Sequence, residues 1–220
     1  MEFNNQFYIF EDILSIYLTP KQCIKYYSST KELYNIYLKH NKFKSNYFTP
    51  KDSTELKQAV NEWCDNREES IIKYGNINFW NTINIIDMKD IFYNKIDFND
   101  DINDWNTSNV VSMICMFANA KNFNQSIGNW NIINVINIDG MFFDATNFNQ
   151  SIENWNIINV IDMGHMFRNA KNFNKPLNNW NINNVKNMEM MFYNANNFNQ
   201  DNCKDWELKN VLFTCNMFNF

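Results

Sequence analysis

The sequence is poor in the two residues that most often interrupt regular structure, with four glycines and three prolines among 220 residues. This composition leaves little room for flexible linkers. No apolar run reaches the roughly 18 residues of a membrane-spanning helix. A hydrophobic content of 45%, with 17% aromatic residues, is typical of a chain that folds. We therefore expect a folded protein without a membrane span.

Positive charge is also scarce, since 19 basic residues face 24 acidic ones, which argues against a nucleic-acid partner. The amino terminus carries acidic residues where a secretion signal would be positively charged. An odd number of cysteines without a C-x-x-C pair is typical of free thiols in a reducing compartment. They are Cys23, Cys64, Cys115, Cys203 and Cys215. The expected location is intracellular, in the cytoplasm of the cell itself or of a host.

Motifs for catalysis are missing as well. The chain contains no phosphate-binding loop, H-E-x-x-H, nucleophile elbow or paired-carboxylate arrangement. Neither His40 nor His165 has a cysteine or carboxylate at metal-ligand spacing. We therefore expect a protein that is not an enzyme and holds no cofactor or metal.

What the chain does contain is a strict internal repeat. Tryptophan recurs every 25 residues, with one extra residue before the last copy, at Trp80, Trp105, Trp130, Trp155, Trp180 and Trp206. In most copies valine follows the tryptophan by five residues, methionine by eight, Met-Phe by eleven and twelve, and alanine by fifteen. A fixed period of this length predicts a solenoid of six stacked copies, with the tryptophans in its structural core.

Within a copy, the apolar offsets 5, 8, 11, 12 and 15 predict one helical face. The tryptophan and the residue two after it alternate with asparagine, which predicts one short strand. The expected fold class is therefore α/β, a solenoid of six strand-helix repeats with a parallel sheet and right-handed crossovers. The asparagine before each helix-opening valine is expected to be an N-cap. These asparagines are Asn109, Asn134, Asn159, Asn184 and Asn210.

Three segments are predicted along the chain. Residues 1–46 lack the repeat frame and suggest three short helices, a small all-α head. Residues 47–76 form a linker and a helix, with Leu56, Val60 and Trp63 at helical spacing. This helix is expected to cap the first copy. Residues 77–220 form the solenoid.

If the tryptophans face the core, the residues one and three after them face away along the sheet. An exposed sheet face is the usual docking surface of a solenoid. The predicted partner-binding residues are Asn106, Ser108, Asn131, Ile133, Asn156, Ile158, Asn181 and Asn183. The alternative is an asparagine ladder that satisfies its own neighbours.

The frame W-N-x-x-N-V-x-x-M-x-x-M-F-x-x-A-x-x-F-N-Q, at 105–125, 130–150 and, with lysine last, 155–175, resembles the BspA-like leucine-rich-repeat family, also called the mycoplasma lipoprotein repeat. The resemblance covers about residues 50–218. It implies a leucine-rich-repeat-like horseshoe that makes protein contacts, often at cell surfaces. It implies no catalytic residues.

The stretch IFEDILSIYLTPKQCIKYYSSTKELYNIY resembles an F-box, although Ile9-Phe10 replaces the leading Leu-Pro. The resemblance implies docking to a Skp1-type ubiquitin-ligase subunit through Ile9, Phe10, Ile13, Leu14, Leu18, Pro20 and Ile24. The expected function is thus a non-catalytic protein-protein interaction scaffold whose repeats bind a partner protein. The alternative is a cell-surface, adhesin-like repeat protein.

Overall fold

The computed structural model describes residues 48–219. The predicted head, residues 1–46, lies outside the described residues with all its F-box-like positions. Two α-helices open the described part, α1 at Ser53–Asp65 and α2 at Arg67–Tyr74. Three short 3₁₀ helices lie at Ile77–Phe79, Gln200–Cys203 and Leu208–Asn210. No helix in this part of the chain is long and apolar enough to cross a membrane.

Helix α1 covers the first copy of the repeat. It begins after Asp52, whose side chain accepts the backbone N–H of Glu55 and so satisfies one of the free donors of the first turn. Its buried face consists of Leu56, Ala59, Val60 and Trp63. The Trp63 ring packs edge-on against Trp80, with the ring centroids 5.8 Å apart. This apolar contact shields the first copy from water.

The predicted α/β solenoid of strand-helix repeats is wrong. Residues 48–219 contain no β-strand, and none of the α-helix in this range lies beyond Tyr74. The parallel sheet, its right-handed crossovers and the leucine-rich-repeat-like horseshoe are therefore absent from the described chain. Each copy is instead a series of turns, and neighbouring copies share one isolated parallel bridge. The bridges join Asp87 to Ser112, Ser112 to Asn137, Asn137 to Asp162, Asp162 to Asn187, and Asn187 to Phe213.

The backbone hydrogen bonds explain why neither a helix nor a strand forms. At even offsets from 8 to 14 after the tryptophan, the N–H donates to a carbonyl of the next copy, as Phe117 does to Met141 at 2.9 Å. At odd offsets from 11 to 15, the N–H bonds three residues back within its own copy, as Met116 does to Met113 at 3.2 Å. A helix needs successive N–H groups to bond four residues back. The alternation forms turns stacked by lateral bonds.

Two positions in each of the first five copies adopt the left-handed backbone region that these turns require. The tenth residue after the tryptophan has positive φ at Asp90, Cys115, Gly140, His165, Met190 and Asn216. The fourteenth has positive φ at Asn94, Asn119, Asp144, Asn169 and Asn194. Asparagine and aspartate tolerate this region better than other residues with a side chain, which explains their recurrence at the fourteenth position. Two left-handed residues four positions apart are incompatible with the predicted helix.

The core consists of aromatic columns that run through the copies. Phe117 lies between Phe92 and Phe142, with centroids 5.1 and 5.6 Å apart and planes within 2° of parallel. Separations of this size in parallel rings correspond to offset stacking, the favourable arrangement. A second phenylalanine column packs against it within each copy, 3.9 Å away for Phe142 and Phe148.

The tryptophans of copies one to five are buried, and Trp206 is partly buried. From the second copy onward, each indole N–H donates to a carbonyl of the preceding copy, as Trp105 does to Ile77 at 2.8 Å. A buried indole N–H needs such a partner. The tryptophans therefore link the copies by a hydrogen bond as well as by packing.

Substitutions at Asp144 test the turn geometry against the predicted helix. Asp144 has φ of 57° and an intermediate exposure. We expect Asp144→Gly to leave the free energy of unfolding within about 0.5 kcal/mol of the wild type, because glycine has no penalty in this region. Asp144→Val should destabilise by about 1–2 kcal/mol, since a β-branched side chain is strained there. A helix would reverse the order of the two variants, because glycine is the poorer helix former. Denaturant unfolding of both variants measures the order.

Candidate functional site

The predicted docking residues lie along one corner of the stack, where the side chains at the first and third positions after the tryptophan are exposed or half-buried. The asparagine at the first position turns back on its own copy. Asn131 Oδ1 accepts the Ile133 N–H at 3.2 Å, and Asn156 Oδ1 accepts the Ile158 N–H at 3.2 Å. The same turn occurs at Asn106 with Ser108 and at Asn181 with Asn183. These Asx turns engage the carboxamide oxygens within the fold.

The predicted N-cap role of the asparagine at the fourth position is wrong, because no helix follows any of these residues. Each carboxamide instead donates to the carbonyl of the residue before the equivalent asparagine in the preceding copy. The bonds run from Asn109 to Ile83, Asn134 to Ser108, Asn159 to Ile133, Asn184 to Ile158 and Asn210 to Asn183, at 2.7–3.2 Å. Both rows of asparagine therefore stabilise the corner, one within a copy and the other between copies.

A row of aliphatic side chains lies beside this corner in the chain, at the sixth position after each tryptophan. We call it the aliphatic row; its members are Ile86, Val111, Ile136, Ile161 and Leu212, with Lys186 in the fifth copy. Val111 is half-buried, and the other aliphatic members are exposed. The exposed fractions are 60% for Ile86, 43% for Ile136, 46% for Ile161 and 71% for Leu212. The backbone at this position bonds between copies, as from Ile136 N–H to the Val111 carbonyl at 2.8 Å. Contiguous apolar surface of this kind makes the row a candidate interaction site.

This row was not predicted from the sequence, because a helix was expected to begin at the fifth position. A signal was present in the repeat itself. Position six is aliphatic in five of the six copies, although it falls outside the apolar offsets 5, 8, 11, 12 and 15. In a strand-like backbone, neighbouring positions five and six point to opposite sides, so one is buried and the other exposed.

A second group lies at the thirteenth position, where side chains of three successive copies stack. The Arg168 guanidinium lies over the Phe143 ring at 5.4 Å and over the Tyr193 ring at 5.3 Å. We call Phe143, Arg168 and Tyr193 the arginine clamp. All three residues have intermediate exposure. Aromatic rings on both faces hold the guanidinium in a fixed plane by cation–π attraction.

His165 and Asp139 belong to neighbouring copies and are close to the clamp residues in sequence. The His165 Nδ1 and Asp139 Oδ1 atoms are 3.4 Å apart. Burial raises the pKa of the Asp139 carboxyl and the Asp162 carboxylate raises it further, whereas His165 lowers it. The described residues contain no group of three or more His, Cys, Asp or Glu side chains that could hold a metal ion.

Burial raises the pKa of the Cys203 thiol to about 11, and burial also raises the pKa of the Cys115 thiol. Both thiols therefore remain protonated near neutral pH and are weak nucleophiles.

An open groove of about 460 Å³ lies between α1 and the first copy. Its lining includes Lys57, Asp65, Asp87 and Lys89, which mix both signs of charge. The asparagine corner, the aliphatic row and the arginine clamp are thus surface features that recur or align over several copies. These features present apolar, amide and guanidinium groups at the surface.

Stacked copies with such lateral surfaces define a repeat protein. A family model described as a Mycoplasma protein of unknown function, DUF285, matches residues 54–169 and 129–220. The chain belongs to this family. No curated protein and no solved structure matches the chain.

Two substitutions in one copy distinguish the asparagine roles. Asn159→Asp replaces the amide donor with a carboxylate that faces the Ile133 carbonyl, so we expect a loss of about 1 kcal/mol or more in the free energy of unfolding. Asn156→Asp keeps the oxygen that accepts the Ile158 N–H, and its effect should stay within about 0.5 kcal/mol. An N-cap at Asn159 would tolerate aspartate equally well. Equal stability of the two variants in chemical denaturation would therefore contradict the inter-copy bond.

Proposed function

We propose that the protein is a non-catalytic interaction scaffold whose stacked copies bind a partner protein along the aliphatic row. The observation that carries this proposal is the exposure of Ile86, Ile136 and Ile161, each about half accessible to water and one per copy. Scattered apolar residues are normal on surfaces. A row repeated in register along the stack is a continuous apolar stripe, which fits a partner that runs parallel to the stack axis.

The spacing of the row favours an amphipathic helix as the bound element. Backbone groups that hydrogen-bond laterally lie about 4.8 Å apart, so the row presents one side chain at about that interval. A helix repeats one face about every 5.4 Å, whereas an extended strand repeats one face at about 6.6–6.8 Å. Over three intervals the mismatch is about 2 Å for a helix and more than about 5 Å for a strand. A helix can therefore follow the row across four copies.

Lys186 gives the proposed partner helix a direction. It replaces the aliphatic residue in the fifth copy and is exposed, between Ile161 and Leu212 in the row. Its Nζ donates to the Asn210 carbonyl at 3.3 Å, which is a neutral acceptor. A partner helix with apolar residues against the first four copies and a carboxylate near Lys186 would complement the row in both hydrophobicity and charge.

Two resemblances support the proposal without assigning a partner. The repeat motif resembles that of the BspA-like family, whose repeats are used for protein contacts. The F-box-like stretch would attach the stack to a Skp1-type adaptor, which would make the protein a substrate adaptor. The alternative of a cell-surface, adhesin-like role uses the same row with an extracellular partner.

The test is affinity purification from source cells with quantitative mass spectrometry, comparing the full chain with Ile136→Glu/Ile161→Glu. The matched control, Asn129→Glu/Asn154→Glu, adds the same charge to the same two copies at exposed positions. We expect a protein that is enriched by the wild type and the control and is reduced about tenfold or more by the double isoleucine variant. Equal recovery by all three would contradict the proposal.

Two further arms separate the attachments. A chain lacking residues 1–46 should keep the partner of the row and lose any Skp1-type subunit. Surface labelling of intact cells distinguishes the alternatives, since an adhesin would be labelled and an intracellular adaptor would not. Thermal unfolding should show that the double isoleucine variant remains folded, because both side chains are already exposed.

A further inference from the structure

The chain contains two arginines, and their surroundings differ in one respect. Arg67 lies over the Trp63 ring at 5.4 Å and also pairs with the Asp100 carboxylate, with Nη2 and Oδ2 2.5 Å apart. Arg168 has aromatic rings on both faces, Phe143 and Tyr193. Among residues 48–219, no carboxylate lies within ion-pair distance of Arg168.

The hydrogen bonds of Arg168 are correspondingly incomplete. Its Nε is buried without a hydrogen-bond partner in the described part of the chain. Its Nη1 donates to the Met190 Sδ at 3.4 Å, and a thioether is a weak acceptor. A guanidinium stays charged at all ordinary pH values, so this cation is partly removed from water without an anion. Such a group binds an oxyanion more readily than a fully hydrated one does.

We propose that the arginine clamp binds a carboxylate side chain of the partner protein. The rings fix the guanidinium plane, and a planar carboxylate can accept two parallel bonds from it. One arginine matches the single negative charge of a carboxylate, whereas a phosphate dianion would need more positive charge than this one guanidinium supplies. Arginine and aromatic residues are also the side chains most enriched at binding hot spots.

This inference rests on the proposed function only in assigning the carboxylate to a partner protein. The site itself is tested separately, because the clamp lies at the thirteenth position of each copy and the aliphatic row at the sixth. If the isoleucine variants keep their partner, partner binding by the aliphatic row is contradicted but carboxylate binding by the clamp is not. If the clamp does not bind carboxylates, partner binding by the aliphatic row is not contradicted.

The experiment is a titration of the full chain, labelled with ¹⁵N-arginine, with an acetylated and amidated tetraglutamate peptide. Two Nε–H signals are expected, and Arg67→Lys assigns them. The Arg168 signal should shift and saturate, whereas the Arg67 signal should stay in place because its carboxylate partner is already present. The tetraglutamine peptide is the uncharged control and should shift neither signal.

Variants complete the test. Arg168→Lys keeps the charge but loses the planar fork, and it should weaken peptide binding by at least about tenfold, as expected for one lost charge-assisted bond. Lys171→Gln removes one exposed positive charge from the same copy and should leave binding unchanged. Equal shifts of both arginine signals, equal shifts by the two peptides, or no shift at all would overturn the proposal. The wild-type titration decides the matter even if Arg168→Lys is unstable.

Discussion

The structure depends on the hydrogen bond that alternate backbone N–H groups donate to the next copy. Phe117 to Met141 and Asn119 to Phe143, at 2.9 and 2.7 Å, are examples of a pattern that recurs in the first five copies. The residues between these donors bond three residues back within their own copy, and the left-handed residues at the tenth and fourteenth positions are part of the resulting turns. Lateral bonding of this kind fixes every copy in register with its neighbours. The aromatic columns, the indole bonds and the asparagine rows all follow from that register.

Function, as proposed here, is a consequence of the same register. When copies are stacked without slippage, any position of the repeat becomes a straight row, and its side chains act together. Inward positions are occupied by phenylalanine, methionine and tryptophan, which form one continuous core. The outward positions differ from one another in this respect. The aliphatic row is nearly uniform, whereas the thirteenth position changes from Phe143 to Arg168 to Tyr193. A uniform row suits broad apolar contact, and a varied row suits recognition of a particular group.

The sequence was sufficient for some of these features and misleading for others. The 25-residue period gave the copy boundaries, and the spacing of Leu56, Val60 and Trp63 gave α1, because both depend on local pattern. The spacing from offset 5 to 8, 12 and 15 is three, four and three, which is also the spacing of a helix. Turns closed by bonds to the third residue back place apolar residues at nearly the same intervals. Asparagine or aspartate at Asn119, Asp144 and their equivalents was the signal that favoured turns.

The candidate sites were harder to predict for a related reason. The asparagines at the first and fourth positions after the tryptophan are the same residue type, but their hydrogen bonds differ. Asn131 and Asn156 bond within their own copy, whereas Asn134 and Asn159 bond to the preceding copy. The contact between His165 and Asp139 joins residues 26 apart and appears only when the copies are aligned side by side. The arginine clamp joins residues 25 apart in the same way. Aligning the copies by their tryptophans would have brought both groups together, but it could not have given the direction of each side chain.

The most direct test of this account is a scalar coupling measured across the backbone hydrogen bond of Phe117 by NMR. The stack predicts a coupling between the Phe117 amide nitrogen and the Met141 carbonyl carbon, which lies in the next copy. A helix through the same residues would place the coupling at Met113, four residues back. Detection of the coupling to Met141 would support the stacked turns, and detection of the coupling to Met113 would contradict them.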